Sequence, residues 1–479
     1  MPFRPLAAFR SISALPLLAL LVLIAAGSPA LAADAGGHGF VGAELAGWWA
    51  LPFAGLLLSI ALMPLLMPDL WHHHYGKIAL GWAALVILPM LPTLGLDGSL
   101  YELAHVGLLE YLPFILLLLA LFTVAGGLRL DGYFDGSPAS NTASLAVGTL
   151  LASVTGTTGA AMLLVRPLIR ANAWRTRRVH TMVFFIFLVA NIGGSLTPMG
   201  DPPLFLGFLK GVPFFWPTVH LLLPMLLSAG LLLGGYYLLD RRLAIVDGAP
   251  PPRGQRIFEG KANLVLLGAI MAIVLFSGIW QGPVVISFLG VELTAQALLR
   301  DLVLIAITLV SLALTPKSAR LANEFGWGPI LEVAKLFAAI FVTIVPVLAM
   351  LKAGLAGPFA PLVQAVSDPA GAPIPAAYFW ATGILSSFLD NAPTYLVFFN
   401  LAGGDPLVMT TGKVATLTAI SAGAVFMGAN TYIGNAPNFM VRAIADEMGI
   451  RMPSFFGYIG WSAAILLPVF VLLTLVFFV

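Results

Sequence analysis

The sequence predicts an all-α integral membrane protein with about ten transmembrane helices and two re-entrant hairpins, arranged as two inverted repeats. Three observations carry this: apolar runs of bilayer-spanning length, two such runs broken by polar residues, and a motif that returns 234 residues downstream. Of the 479 residues, 60% are hydrophobic and 9% charged, against about 25% charged in a soluble domain. A core cannot hide that much apolar surface, so lipid has to cover it. The chain has no cysteine, which removes disulfide frameworks, thiolate metal sites and Cys nucleophiles. A net charge of +2, with basic residues spread over several loops, gives no footprint for nucleic acid.

Residues 1–33 read as a signal peptide: Arg4 and Arg10, an apolar run from Ala14 to Ala26, then Ala30, Leu31, Ala32 and Ala33. The alternative is an uncleaved first helix. Cleavage puts the mature N-terminus outside the cytoplasm, and a multi-pass protein of a bacterial-type inner (plasma) membrane is expected.

Hydropathy places full spans near 46–67, 77–95, 104–127, 180–200, 217–239, 262–280, 298–315, 329–354, 411–430 and 455–479, each near the roughly 20 residues a bilayer requires. The runs 140–165 and 376–400 are broken by Thr155-Gly156-Thr157-Thr158-Gly159 and by Asp390-Asn391-Ala392-Pro393-Thr394. Irregular backbone at membrane depth survives only inside protein or along a wet cavity, so both runs are expected to be hairpins. Charge supports that choice, because Lys and Arg collect in cytoplasmic loops. Only Lys210, Arg300, Lys352 and Lys413 then fall outside, whereas the clusters at Arg166–Arg178, Arg241–Lys261 and Lys317–Arg320 fall inside.

The repeat lays Thr197, Gly200, Pro203 and Phe205 on Thr431, Gly434, Pro437 and Phe439, and Ser153 on Ser387. The halves are 45–245 and 246–479. Five crossings plus a hairpin in each half turn the second upside down, which is the plan of secondary transporters.

Four broken segments therefore converge, and their polar residues include Thr157, Thr158, Asn191, Thr197, Asp201, Asp390, Asn391, Asn430, Thr431 and Asn435. Unwound helices free carbonyl oxygens for a cation, and Asn and Thr add oxygen ligands without net charge. The alternative is that these small polar residues only let helices pack closely. Asp201 and Asp390 are the candidate proton carriers and, as oxygen ligands, the candidate sodium ligands, since a carboxylate within a membrane is a functional candidate by default. Each can instead cap the half-helix that follows it. Glu110 and a Glu332/Lys335 pair at i,i+3 are weaker candidates. Arg166 and Arg170 read as topology-setting charge or as attraction for an anion, and His72, His73 and His74 as an interfacial loop beside Trp71 and Tyr75 rather than a metal cluster. Neither His-Glu-x-x-His nor Gly-x-Ser-x-Gly occurs, which argues against an intramembrane hydrolase.

Thr155-Gly-Thr-Thr-Gly159, Asn191-Ile-Gly-Gly-Ser-Leu-Thr-Pro-Met-Gly-Asp201, Leu389-Asp-Asn-Ala-Pro393 and Gly428-Ala-Asn-Thr-Tyr-Ile-Gly-Asn-Ala-Pro-Asn438 resemble the ion transporter superfamily. Within it they look most like NhaD-type sodium/proton antiporters and related proteins labelled citrate transporters, over about residues 45–479. The resemblance implies a scaffold, a transport domain, and sodium held by Thr157, Thr158, Asp201, Asp390, Asn391, Thr431 and Asn435. It also implies a homodimer. The Ser-Asn-Thr hairpin motif of sodium/dicarboxylate cotransporters is absent from both tips. The expected function is exchange of sodium (or lithium) for protons; the alternative is cation-coupled transport of citrate or another carboxylate. No enzymatic activity is expected, and no cofactor beyond sodium as transported or coupling ion.

Overall fold

The computed structural model describes residues 39–132, 134–247 and 256–479; the expected signal peptide at 1–33 lies outside them. The protein is an all-α membrane protein. Among the described residues, seven helices are long and apolar enough to cross a membrane: Gly47–Leu66, Pro68–Ala125, Trp216–Ala244, Ala262–Ile279, Ala295–Leu314, Gly328–Lys352 and Phe455–Phe478. A helix satisfies its own N–H and C=O groups, which lipid cannot do.

In chain order the first helices are α1 Leu51–Leu66, α2 Pro68–His105, α3 Leu112–Ala125, α4 Pro138–Thr155, α5 Thr157–Ala171, α6 Val179–Leu188, α7 Pro202–Leu209 and α8 Trp216–Asp247. There follow α9 Ala262–Ile279, α10 Ala295–Leu314, α11 Lys317–Ala322, α12 Gly328–Lys352, α13 Ala360–Ala365, α14 Pro375–Phe388, α15 Asn391–Leu401, α16 Pro406–Thr411, α17 Val414–Met427, α18 Ala436–Glu447 and α19 Phe455–Leu473.

The spans expected at 77–95 and 104–127 lie in one stretch, Pro68–Ala125. Gly95 bends it, at φ 72° and ψ 177°, and a π-helical turn at Val106–Tyr111 joins α2 to α3. The segments expected at 180–200 and 411–430 are shorter helices, α6 and α17, that tighten into 3₁₀ turns at Ile192–Ser195 and Gly428–Asn430. Two strand pairs were not anticipated. β1 (Arg129–Asp131) runs antiparallel to β2 (Ile257–Glu259), with Arg129 opposite Glu259, and β3 (Val284–Phe288) pairs with β4 (Val291–Thr294). The three histidines are helical, within the first two turns of α2, and not in a loop. Glu332 and Lys335 do not form an ion pair with each other: the Lys335 ammonium lies 5.3 Å from the Tyr75 ring centroid.

Burial sorts the helices into layers. The α9 window is 22% buried and that of α12 61%, so α9 lies at the periphery of the chain and α12 inside it. Helices α5, α6, α15 and α17 are buried nearly all round, as expected of elements apolar on every face at the centre of a bundle. They position the site. Helices α4 and α5 double back on each other, since Asn141 near the start of one and Asn172 after the other exchange hydrogen bonds of 2.8 and 2.9 Å. The pair α14 and α15 does likewise, with Tyr378 and Phe398 rings 6.3 Å apart.

Candidate ion site at four helix breaks

Each break has a local cause. Gly156, between α4 and α5, adopts φ 78°, a left-handed conformation that a side chain disfavours. At 192–201 the chain unwinds and folds back so closely that a Cβ on Gly200 would sit 2.1 Å from the Gly194 carbonyl oxygen. The second break, at 428–435, repeats this: a Cβ on Gly434 would lie 2.5 Å from the Gly428 carbonyl oxygen.

The hydrogen bonds repeat as well. Ser153 Oγ donates to the Gly193 carbonyl at 2.5 Å, and Ser387 Oγ to the Met427 carbonyl at 3.1 Å. The Thr197 hydroxyl donates to the Ser153 carbonyl and accepts from the Met199 N–H. The Thr431 hydroxyl does the same with the Ser387 carbonyl and the Ile433 N–H. These contacts tie each broken helix to its neighbouring hairpin through backbone, which is where small residues are needed.

Replacing Gly200 by Ala is therefore expected to lower stability by about 1–3 kcal/mol or more, the range for overpacking. Thermal melting in detergent checks it, with Gly434→Ala affected less and Gly81→Ala unaffected, since a Cβ at Gly81 meets nothing within 4 Å.

Asp201 occupies the junction. It is 1% exposed and precedes α7, yet its side chain caps nothing in that helix. Its carboxylate instead accepts from Thr157 Oγ1 at 2.9 Å, from Asn435 Nδ2 at 3.1 Å and from Asn391 Nδ2. Thr157 and Asn391 are the first residues of α5 and α15, and Asn435 immediately precedes α18. Four helix N-termini, α5, α7, α15 and α18, thus meet at one carboxylate, and their partial positive charge favours it there. Asp201 and Asn435 stand 234 residues apart, as do Thr157 and Asn391, so the contacts pair equivalent positions of the repeated motif. The Asn391 Oδ1 atom is buried without a hydrogen-bond partner. It, the Asp201 carboxylate and Thr157 Oγ1 are oxygens of the kind hard cations take.

The remaining expected residues surround this centre. Asn191 Nδ2 donates to Asn438 Oδ1 at 2.7 Å while its own Oδ1 accepts from Asn435 at 3.3 Å. Asp390 caps α15, accepting from the Ala392 N–H at 3.1 Å, and is only half-buried. Asn430 donates to Ser387 Oγ at 2.9 Å, leaving its buried Oδ1 without a partner. Thr197 and Thr431 point to hairpin backbone rather than to Asp201. Thr158 lines a cavity of about 110 Å³ bounded by α3, α5, α7, α12 and α18, on whose wall Thr157 and Asp201 also lie.

Two charged pairings escaped sequence reasoning, although Glu110 itself was a candidate. Asp240, in α8, is fully buried with Arg175 at 2.5 Å, His180 at 2.7 Å and Asn141 at 3.1 Å. Lys210 and Glu110 form an ion pair at 2.6 Å. Only the low tolerance of a membrane for buried charge pointed to either. Arg166 pairs with Glu324 at 2.5 Å and Arg170 with Asp131, so both have carboxylate partners.

A family model described as "Putative citrate transport" matches residues 42–478. No curated protein matches the chain.

Proposed function

The chain belongs to this citrate-transport family, and from that membership we propose that it is a secondary active transporter carrying citrate or another carboxylate together with cations. The family match is the observation that carries the substrate class. In this reading the helix pairs α4–α5 and α14–α15 are the two re-entrant hairpins, and residues 45–245 and 246–479 are the two inverted halves, with about ten crossings in all. The hydrogen bonds and close glycine contacts that recur at one spacing support that plan. Sodium is the coupling ion, held at Asp201, Thr157 and Asn391 with Asp390 close by. The first turn of α5, Thr157–Gly159, borders the cavity and offers a helix N-terminus to the anionic substrate. The protein works as a homodimer in a bacterial-type inner membrane, after removal of residues 1–33.

A second reading, exchange of sodium or lithium for protons, is favoured by one observation. No Lys or Arg is among the residues lining the cavity, and Asp201 is surrounded by neutral donors, a setting better suited to a cation than to an anion.

Purified protein in liposomes separates the two. Labelled citrate is expected to accumulate under an imposed sodium or proton gradient. Sodium-driven proton movement, read with a pH-sensitive dye, without citrate uptake would overturn the substrate assignment in favour of exchange.

A further inference from the structure

Resting on the transporter reading, we propose that the Lys210–Glu110 ion pair is a latch that closes the ion site on the side opposite the cavity. Three helices set the geometry. In α3 the cavity is lined by Leu117, Leu118, Leu121 and Phe122, toward its C-terminal end, whereas Glu110 lies in the π-helical turn ahead of its first residue. In α7 Asp201 and Phe205 line the cavity, and Lys210 is the C-cap at the other end. In α12 Pro329, Ile330 and Val333 line the cavity, and Lys352 is the last residue. At 1.5 Å per residue, Lys210 stands about 13 Å beyond Asp201 along the helix. Cavity and charge cluster therefore occupy opposite ends of the same three rods.

The pair joins two bodies that differ in role. Helix α7 begins at Asp201 and ends at Lys210, so it transmits any displacement of the ion site. Glu110 belongs to the helical stretch that follows the Gly95 kink and runs on into α3, in a π-turn, a feature that often marks functional sites. Glu110 is 6% exposed and Lys210 Nζ is 2.6 Å from it. Separating such a pair leaves a buried charge without its partner, so α7 cannot move away while both charges remain. The other charged and titratable groups around the pair are Glu102 and His105 in α2 and Lys352 at the end of α12. Of the three helices' ends, Lys210 alone brings a charge from the Asp201 half-helix to this cluster.

The test reads access rather than flux. The chain contains no cysteine, so Thr158→Cys places a single thiol on the cavity wall. A membrane-impermeant maleimide is added separately to the two faces of reconstituted vesicles. In the Thr158→Cys parent, labelling is expected from the cavity face alone. Adding Glu110→Gln or Lys210→Ala is expected to raise labelling from the opposite face about tenfold, as a population shift toward the opened state. The swapped pair Glu110→Lys with Lys210→Glu is expected to return it toward the parent rate. Parent-level labelling in the single variants overturns the latch. Should Glu110→Gln not be recovered folded, Lys210→Ala decides alone, since Lys210 is the more exposed partner, at 23%. Absence of solute flux in the unsubstituted protein would remove the transporter reading and leave the labelling result standing.

Discussion

Asp201→Asn is expected to cut coupled transport by about 100-fold or more, the scale of losing a positioned proton-exchanging group, while the protein stays folded. The carboxylate accepts from Thr157, Asn435 and Asn391. An amide keeps one acceptor oxygen for Thr157 and Asn435 but turns an NH₂ toward the Asn391 NH₂. That conflict has a ready escape: the Asn391 Oδ1 has no partner, so a flip of its amide lets it accept from the new donor. Folding is thus preserved while the carboxylate charge of Asp201 disappears. Thermal melting within a few degrees of the parent, together with loss of cation-dependent citrate uptake in liposomes, is the expected result. Asp390→Asn is the contrast. Its side chain caps α15 through the Ala392 N–H, and Asn caps about as well as Asp, so several-fold loss at most is expected. Parent-level uptake with unchanged pH dependence in Asp201→Asn would leave Thr, Asn and backbone oxygens as the whole site.

Asp240→Leu is expected to be the most destabilising single change, by about 3–5 kcal/mol, the range for removing one partner of a buried ion pair. Asp240 has no exposed side-chain surface, nor has Arg175, and the same carboxylate accepts from Asn141 and bonds His180. Its loss takes the carboxylate away from the buried Arg175 guanidinium. Because Asn141 and Asn172 clasp the two ends of the α4–α5 pair, the damage reaches the hairpin that supplies Thr157. Replacing both charges, Asp240→Leu with Arg175→Met, is expected to restore at least half of the loss, since apolar replacement of a whole pair is often neutral. Fluorescence size-exclusion and melting curves in detergent measure both. An additive double variant would show that the two side chains act independently.

Much of this was readable beforehand, and the reasons are local. Apolar runs report lipid exposure, so the long helices appear where hydropathy puts them. Gly156, and Gly200 and Gly434 with their neighbouring prolines, report breaks, because backbone geometry is decided within a few residues. The spacing of the motif brought Thr157, Asp201, Asn391 and Asn435 into one group. What hydropathy does not carry is which helix faces meet. Arg175 reads as one more basic loop residue, and its partner is 65 positions away; Lys210 and Glu110 are 100 apart. The span expected to end at 95 does end there in a kink at Gly95, but Pro89 and Pro92 are carried inside the helix before it, and the π-helical turn that runs on into α3 left no mark in the hydropathy. The pairing of β1 with β2 joins residues about 128 apart, beyond anything alternation over three residues can signal.

The two glycine crossings also have a mechanical meaning. Where Gly200 meets Gly194 and Gly434 meets Gly428, backbone lies against backbone with no side chain between, so there is no soft layer to shear. Each crossing behaves as a rivet: the unwound segment turns as one piece or not at all. Any stroke of the machine must then run along the side-chain seams around this riveted block, where Phe114, Phe205 and Phe337 offer rings that can slide.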